Sequence, residues 1–176
     1  MIFEIEEIHS EGLSFEVLEP NERFCIDSSD CFLTEGVKIR GKLEKSGAEV
    51  ICQAWLETSL SVVCTRCLVS FDFPVKGKLC VYFKPRPKNH NLRNEVELSV
   101  SQIEQEYYEE GRIDISNPSR DLILLSLPQV TLCRENCAGL CPQCGINLNE
   151  SNCDCKVEGF CDPRLAVLEK LKDKMK

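Results

Sequence analysis

The sequence predicts an α+β protein: an antiparallel, barrel-like β-sheet domain, then a cysteine-rich C-terminal module with a terminal helix. Three observations carry that prediction. Apolar and polar residues alternate through residues 1 to about 85, the period of half-buried strands. An apolar run at 116–128 has proline near its start and proline at its end, the punctuation of a helix. Beyond residue 133 the cysteines come in closely spaced pairs. The expected boundary follows Pro128, giving domains of 1–128 and 129–176.

Phe3, Ile5 and Ile8 begin an alternating pattern, and Leu13, Phe15 and Val17 continue one. Val37, Ile39 and Leu43, then Val50, Cys52, Ala54 and Leu56, alternate strictly, with Glu44-Lys45-Ser46-Gly47 between them as a hairpin turn. Leu60, Val62 and Val63 lead into Cys64-Thr65-Arg66-Cys67. Phe71, Phe73, Val75, Leu79, Val81 and Phe83 resume the pattern beyond it. Pro85-Arg86-Pro87 opens a surface loop. Val96, Leu98 and Val100 fit one further strand inside an acidic run at 95–110, itself read as a solvated face. Ile113-Asp114-Ile115 is a short extended piece. Ser116-Asn117-Pro118 then opens a helix with Leu122, Ile123, Leu125 and Leu127 as its buried side, and Pro128 ends it. Asp162-Pro163 starts the final helix, with Leu165, Leu168, Leu171 and Met175 on one side and lysines at its end, where cations favour the helix dipole.

Composition narrows the class. With 43% hydrophobic and 28% charged residues the chain has the balance of a soluble globular protein. No apolar run approaches the ~20 residues of a membrane-spanning helix. The acidic start, Met1 to Glu7, lacks the basic and apolar regions of a secretory signal, so a cytoplasmic location is expected, with no membrane contact. Thirteen cysteines is a high and odd number, which rules out complete internal disulfide pairing and favours reduced or metal-bound thiols. The net charge of −8 argues against binding a phosphate backbone by bulk charge.

Cys141-Pro142-Gln143-Cys144-Gly145 has the form of a metal knuckle: two sulfurs three residues apart can face one ion across a tight turn, and Gly145 permits the positive φ that frees backbone N–H groups toward them. Cys153 and Cys155 follow across polar turn residues and complete four thiolates. A closed set of four cysteines points to structural zinc. Cys64, Cys67, Cys133 and Cys137 are expected to meet as a second site, tying the sheet to the C-terminal module; spacing alone also allows Cys133 and Cys137 to pair with Cys141 and Cys144. Eight thiolates around two zinc ions would take the charge to roughly −12. The rival is a redox or iron–sulfur protein using the same pairs. Cys25, Cys31, Cys52, Cys80 and Cys161 have no pair spacing and read as plain thiols.

Catalysis is not expected. The two histidines, His9 and His90, are far in sequence from every cysteine pair, and no phosphate loop, nucleophile elbow or acid pair stands out, so no small-molecule substrate is indicated. Arg66, Arg134, Lys170 and Lys174 are the candidate contacts to RNA. Trp55, Phe71 and Phe73 alternate on strands and read as core rather than as a base-stacking platform.

The stretch Cys64-Thr65-Arg66-Cys67-Leu68 with Phe71 resembles the C-x-R-C-L-x-x-F signature of the YceD family. So do Arg120-Asp121-Leu122-Ile123-Leu124-Leu125-Ser126-Leu127-Pro128, the run from Leu132 through Cys141-Pro142-Gln143-Cys144-Gly145 to Cys153-Asp154-Cys155, and Asp162-Pro163-Arg164-Leu165. The likeness spans about residues 30–170. It departs at Ser119-Arg120-Asp121, where many members carry a glutamate. The resemblance implies a role in accumulation of large-subunit ribosomal RNA: support for synthesis, processing or stability of 23S rRNA. It implies no catalytic activity. With the acidity of the chain, it suggests contact with a ribosomal protein or another large-subunit assembly factor ahead of rRNA itself.

Overall fold

The computed structural model describes residues 1–87 and 105–155. The strand expected at 96–100 and the terminal helix expected from 162 lie outside them. Contacts divide the chain into two units, Met1–Thr65 with Val69–Cys133, and Arg66–Leu68 with the residues from Arg134 onward.

Strands β1 (Ile2–Glu4), β2 (Leu13–Glu19), β3 (Asp27–Ser28), β4 (Cys31–Leu33), β5 (Val37–Ser46), β6 (Glu49–Val63), β7 (Ser70–Pro85), β8 (Gln105–Tyr108) and β9 (Arg112–Asp114) precede helix α1 (Ser116–Leu125). A seven-stranded sheet holds β2 through β8, and β1 pairs separately with β9. The spine is β6. One edge pairs with β5 and then β4, and the other runs antiparallel to β7 from Val50 opposite Phe83 to Val63 opposite Ser70. The alternation explains its length: Val50, Cys52, Ala54, Leu56 and Leu60 are buried on one face, while Gln53 and Trp55 point out. Gly41 in β5 has no room for a side chain. A Cβ there would lie 2.4 Å from the Gln53 carbonyl oxygen and 2.5 Å from the Ala54 Cβ.

The sheet does not close into a barrel. Among the described residues β2 lies at one margin and β8 at the other, and the two do not pair. Closure needs strand number, tilt and register to agree, and alternation encodes none of these. A helix covers the inner face instead. Ile113, Ile115 and Ile123 are fully buried in the core that includes Val37, Ile39, Leu43 and Leu56, so helix and sheet form a two-layer packing. Nor is the sheet wholly antiparallel: β8 adds parallel to β7, Tyr82 opposite Gln105.

Two smaller expectations also change. Ile5 does not extend the first strand, because Ile5–Glu7 forms a 3-10 turn after β1. In α1 the buried residues are Ser116, Pro118, Ser119 and Ile123, with Leu122 partly buried against the core and Leu127 just beyond the helix likewise. Leu125, two positions past Ile123, falls on the opposite side and is 84% exposed. Ser119 bonds back to the Ile115 carbonyl at 2.6 Å, and Leu122 packs where Gly77 leaves space on β7.

The second unit contains no strand or helix among its described residues beyond a single bridge, Leu140 with Asn147. It is a series of turns held by local hydrogen bonds.

Candidate metal centre

Cys64-Thr65-Arg66-Cys67 forms the turn that joins β6 to β7. The Cys64 N–H donates to the Val69 carbonyl at 3.0 Å, and Leu68 takes a left-handed conformation, φ +59°. The turn anchors the approach of the next pair. Thr65 donates through its N–H and hydroxyl to the Thr131 carbonyl at 2.9 and 3.0 Å, and the Thr131 hydroxyl donates to the Val63 carbonyl at 2.8 Å. Thr131 stands two residues before Cys133. Arg66 donates to the Cys137 carbonyl at 3.1 Å, and Gly139, at φ +76°, passes so close that a Cβ would be 3.2 Å from the Arg66 carbonyl oxygen. The sulfurs of Cys64, Cys67, Cys133 and Cys137 lie within 4.8 Å of one another.

The second cluster is built by one loop. At the knuckle the Cys141 N–H donates to the Ile146 carbonyl at 2.8 Å and the Gly145 N–H to the Cys141 carbonyl at 2.9 Å. Gly145 has φ +72°, which a side chain would strain. Leu148 closes the loop on the Gly139 carbonyl at 2.9 Å. Cys141, Cys144, Cys153 and Cys155 again place four sulfurs within 4.8 Å.

Electrostatics show what such a set requires. Backbone N–H groups of Cys144 and Gln143, with the Cys153 thiol, pull the Cys141 thiol down to about 6. The reverse holds for its neighbours. Hydrogen bonding with Cys141 raises Cys153, and hydrogen bonding with Cys144, then burial, pushes Cys155 up to about 12. The Cys141 thiolate is thus favoured, while hydrogen bonding and burial favour the protonated forms of Cys153 and Cys155. Only a cation among them allows all four to ionise. A tetrahedral zinc with ~2.3 Å bonds needs sulfurs about 3.8 Å apart, so both clusters could hold a metal ion without large movement.

Asn149 is the residue that sequence reading missed. Its amide donates to the Cys137 sulfur at 3.3 Å and to Asn147 Oδ1 at 2.8 Å; its own oxygen accepts from the Ala138 N–H at 2.8 Å and from Arg134 Nε at 3.1 Å. In the sequence it is one of several polar turn residues, and only the N-x-N spacing with Asn147 hinted at an internal network. Arg66 and Arg134, read as RNA contacts, are both exposed and both have these intramolecular partners. Lys170 and Lys174 lie outside the described residues. Cys52 is a core thiol, pushed up to about 12 chiefly by burial. Phe71 and Phe73 pack against the core as expected, whereas Trp55 is 54% exposed on the outer face of β6.

No helix among the described residues is long and apolar enough to cross a membrane. Comparison with known proteins gives no matching solved structure. A chloroplastic YCED homolog 1 of Arabidopsis thaliana, named a large ribosomal RNA subunit accumulation protein, is 46% identical over 43 residues, which are 24% of this chain and 13% of that one. Its namesake in Zea mays is 51% identical over 45 residues, 25% and 15% of the two chains. A protein of Mycobacterium bovis described as uncharacterized is 34% identical over 88 residues, 48% of this chain and 38% of its own. The chain thus covers well under two thirds of each of these relatives. The family model described as Large ribosomal RNA subunit accumulation protein YceD matches residues 53–172, which takes in both cysteine clusters. Matched over more than half its length, this chain belongs to the YceD family.

Proposed function

We propose that the protein is a non-enzymatic factor supporting accumulation of the large-subunit ribosomal RNA, with both cysteine clusters filled by structural zinc. Family membership and the names carried by the chloroplastic relatives support the ribosomal role. The observation that carries the metal reading is the pair of four-sulfur clusters, each within 4.8 Å. All-cysteine ligation closes the coordination sphere and leaves no open position for substrate, which favours a structural over a catalytic ion. Cys64, Cys67, Cys133 and Cys137 would hold one ion and Cys141, Cys144, Cys153 and Cys155 the other. The zinc supplies folding energy to loops that have little core of their own.

The acidity of the chain, −8 before any thiolate is counted, favours a ribosomal protein or another assembly factor as the first contact. Depleting the protein in its host should lower the ratio of 23S to 16S rRNA, read by gel or sequencing of total RNA. An unchanged ratio would contradict the proposal.

A further inference from the structure

The outer face of the sheet, opposite the core, carries a basic patch around an exposed indole. Strand register puts Arg40 of β5, Trp55 of β6 and Lys78 of β7 in one row across three strands. The next row on one side is Lys38, Glu57 and Lys76; on the other it is Lys42, Gln53 and Cys80. Five cations therefore surround one tryptophan in a protein of net charge −8. The acids on this face pair with the outer lysines: Glu16 with Lys38 at 2.8 Å, Glu44 with Lys42 at 2.8 Å and Glu57 with Lys76 at 3.8 Å. Among the described residues neither Arg40 nor Lys78 forms a direct ion pair; Glu16 lies opposite Arg40 on β2, and the Glu16 carboxylate makes its contact with Lys38 while also feeling the Arg40 charge. Arg40 and Lys78 are exposed and directly flank Trp55, and adjacent strands place their Cα atoms about 10 Å apart across it.

We propose that this face binds an unpaired stretch of RNA, with a base stacked on Trp55 and backbone phosphates met by Arg40 and Lys78. An exposed tryptophan offers a stacking platform that every base can use, and flanking cations complete the chemistry of a single-strand site. An acidic peptide would satisfy the cations and leave the indole without a role. Paired RNA would satisfy the cations but keeps its bases inside the helix. The patch uses none of the clustered cysteines; the choice of RNA rests on the ribosomal reading above.

Trp55 is the only tryptophan in the chain, so its fluorescence reports this face alone. The test titrates the full-length, metal-loaded protein with a twelve-nucleotide oligo(A), a duplex RNA of the same length and polyglutamate. Oligo(A) should quench the fluorescence saturably, with the slope of log affinity on log salt about −0.7 for each phosphate met. Trp55→Ala, followed by anisotropy of labelled oligo(A), should weaken binding roughly ten- to a hundredfold, and Trp55→Phe should restore most of it. The Lys78→Glu variant should weaken binding and flatten the salt slope. Because Trp55 lies outside the core, an unchanged circular dichroism spectrum and metal content will show that the variants fold. Absent quenching, equal affinity of Trp55→Ala, or equal binding of duplex or polyglutamate would overturn the proposal. An altered 23S to 16S ratio on depletion without oligo(A) binding would sink this site and leave the ribosomal role standing. The opposite pair of results would do the reverse.

Discussion

Asn149 links Arg134, Ala138, Cys137 and Asn147 through one side chain. Its N–H to the Cys137 sulfur stabilises the thiolate form of that ligand, and groups that bond to metal ligands typically tune affinity by 10- to 100-fold. Asn149→Ala should therefore lower metal affinity at the cluster of Cys64, Cys67, Cys133 and Cys137 by about tenfold or more. Competition against a chromophoric chelator measures it, and an affinity equal to that of the unchanged protein would contradict the role. The Cys141–Gly145 knuckle was legible in the sequence because C-x-x-C-G states a local geometry, whereas spacing left the partners of Cys133 and Cys137 open. Asn149 was not legible, since a hydrogen bond to a sulfur twelve residues away leaves no local pattern. Trp55 was misread for a related reason. Alternation establishes that its face is opposite to that of Ala54 and Leu56, but an aromatic residue on a strand is by default assigned to the core.

At the scale of elements, β5, β6 and β7 follow the alternating residues closely, because each buries one face and exposes the other. Helix α1 was legible in its start and end and in most of its face, since Leu122, Ile123 and Leu127 meet the core and Leu125 alone of the four expected residues does not. Leu122, Ile123, Leu124 and Leu125 are consecutive apolar residues and do not by themselves mark a face, which is why Leu125 was placed on the buried side. The consequence is a contrast between neighbours. Ile123→Ala should destabilise the fold by about 2–4 kcal/mol, as large-to-small changes in a core do. Leu125→Ala, at a site 84% exposed, should change it by less than about 0.5 kcal/mol. Urea unfolding of the two variants measures both, and equal effects would contradict the observed phase. Sheet closure was misjudged because pairing partners at the margins are a property of register and of what covers the inner face, neither of which is written in alternation.

At the scale of the whole molecule, two kinds of stability coexist. The first unit has a contiguous hydrophobic core with many fully buried side chains. The second unit has turns and a few backbone bonds, such as Gly145 to Cys141 and Leu148 to Gly139. Its described residues have no such core, so a metal held by the cysteines would supply folding energy there, coordination and folding being coupled. Stripping metal with a strong chelator should therefore abolish amide protection at Cys141, Gly145 and Leu148, while amides in the middle of β5 and β6 stay protected. Hydrogen exchange read by mass spectrometry resolves the two regions. Uniform protection after chelation, or collapse of both regions together, would contradict this division.

The central claim is that eight cysteines form two closed sites for zinc, Cys64 with Cys67, Cys133 and Cys137, and Cys141 with Cys144, Cys153 and Cys155. Elemental analysis of protein purified without added metal or chelator tests it most directly. The account predicts two equivalents of zinc per chain and no visible absorbance. Iron in place of zinc, or a metal-free protein that is nonetheless fully ordered from 134 to 155, would contradict it.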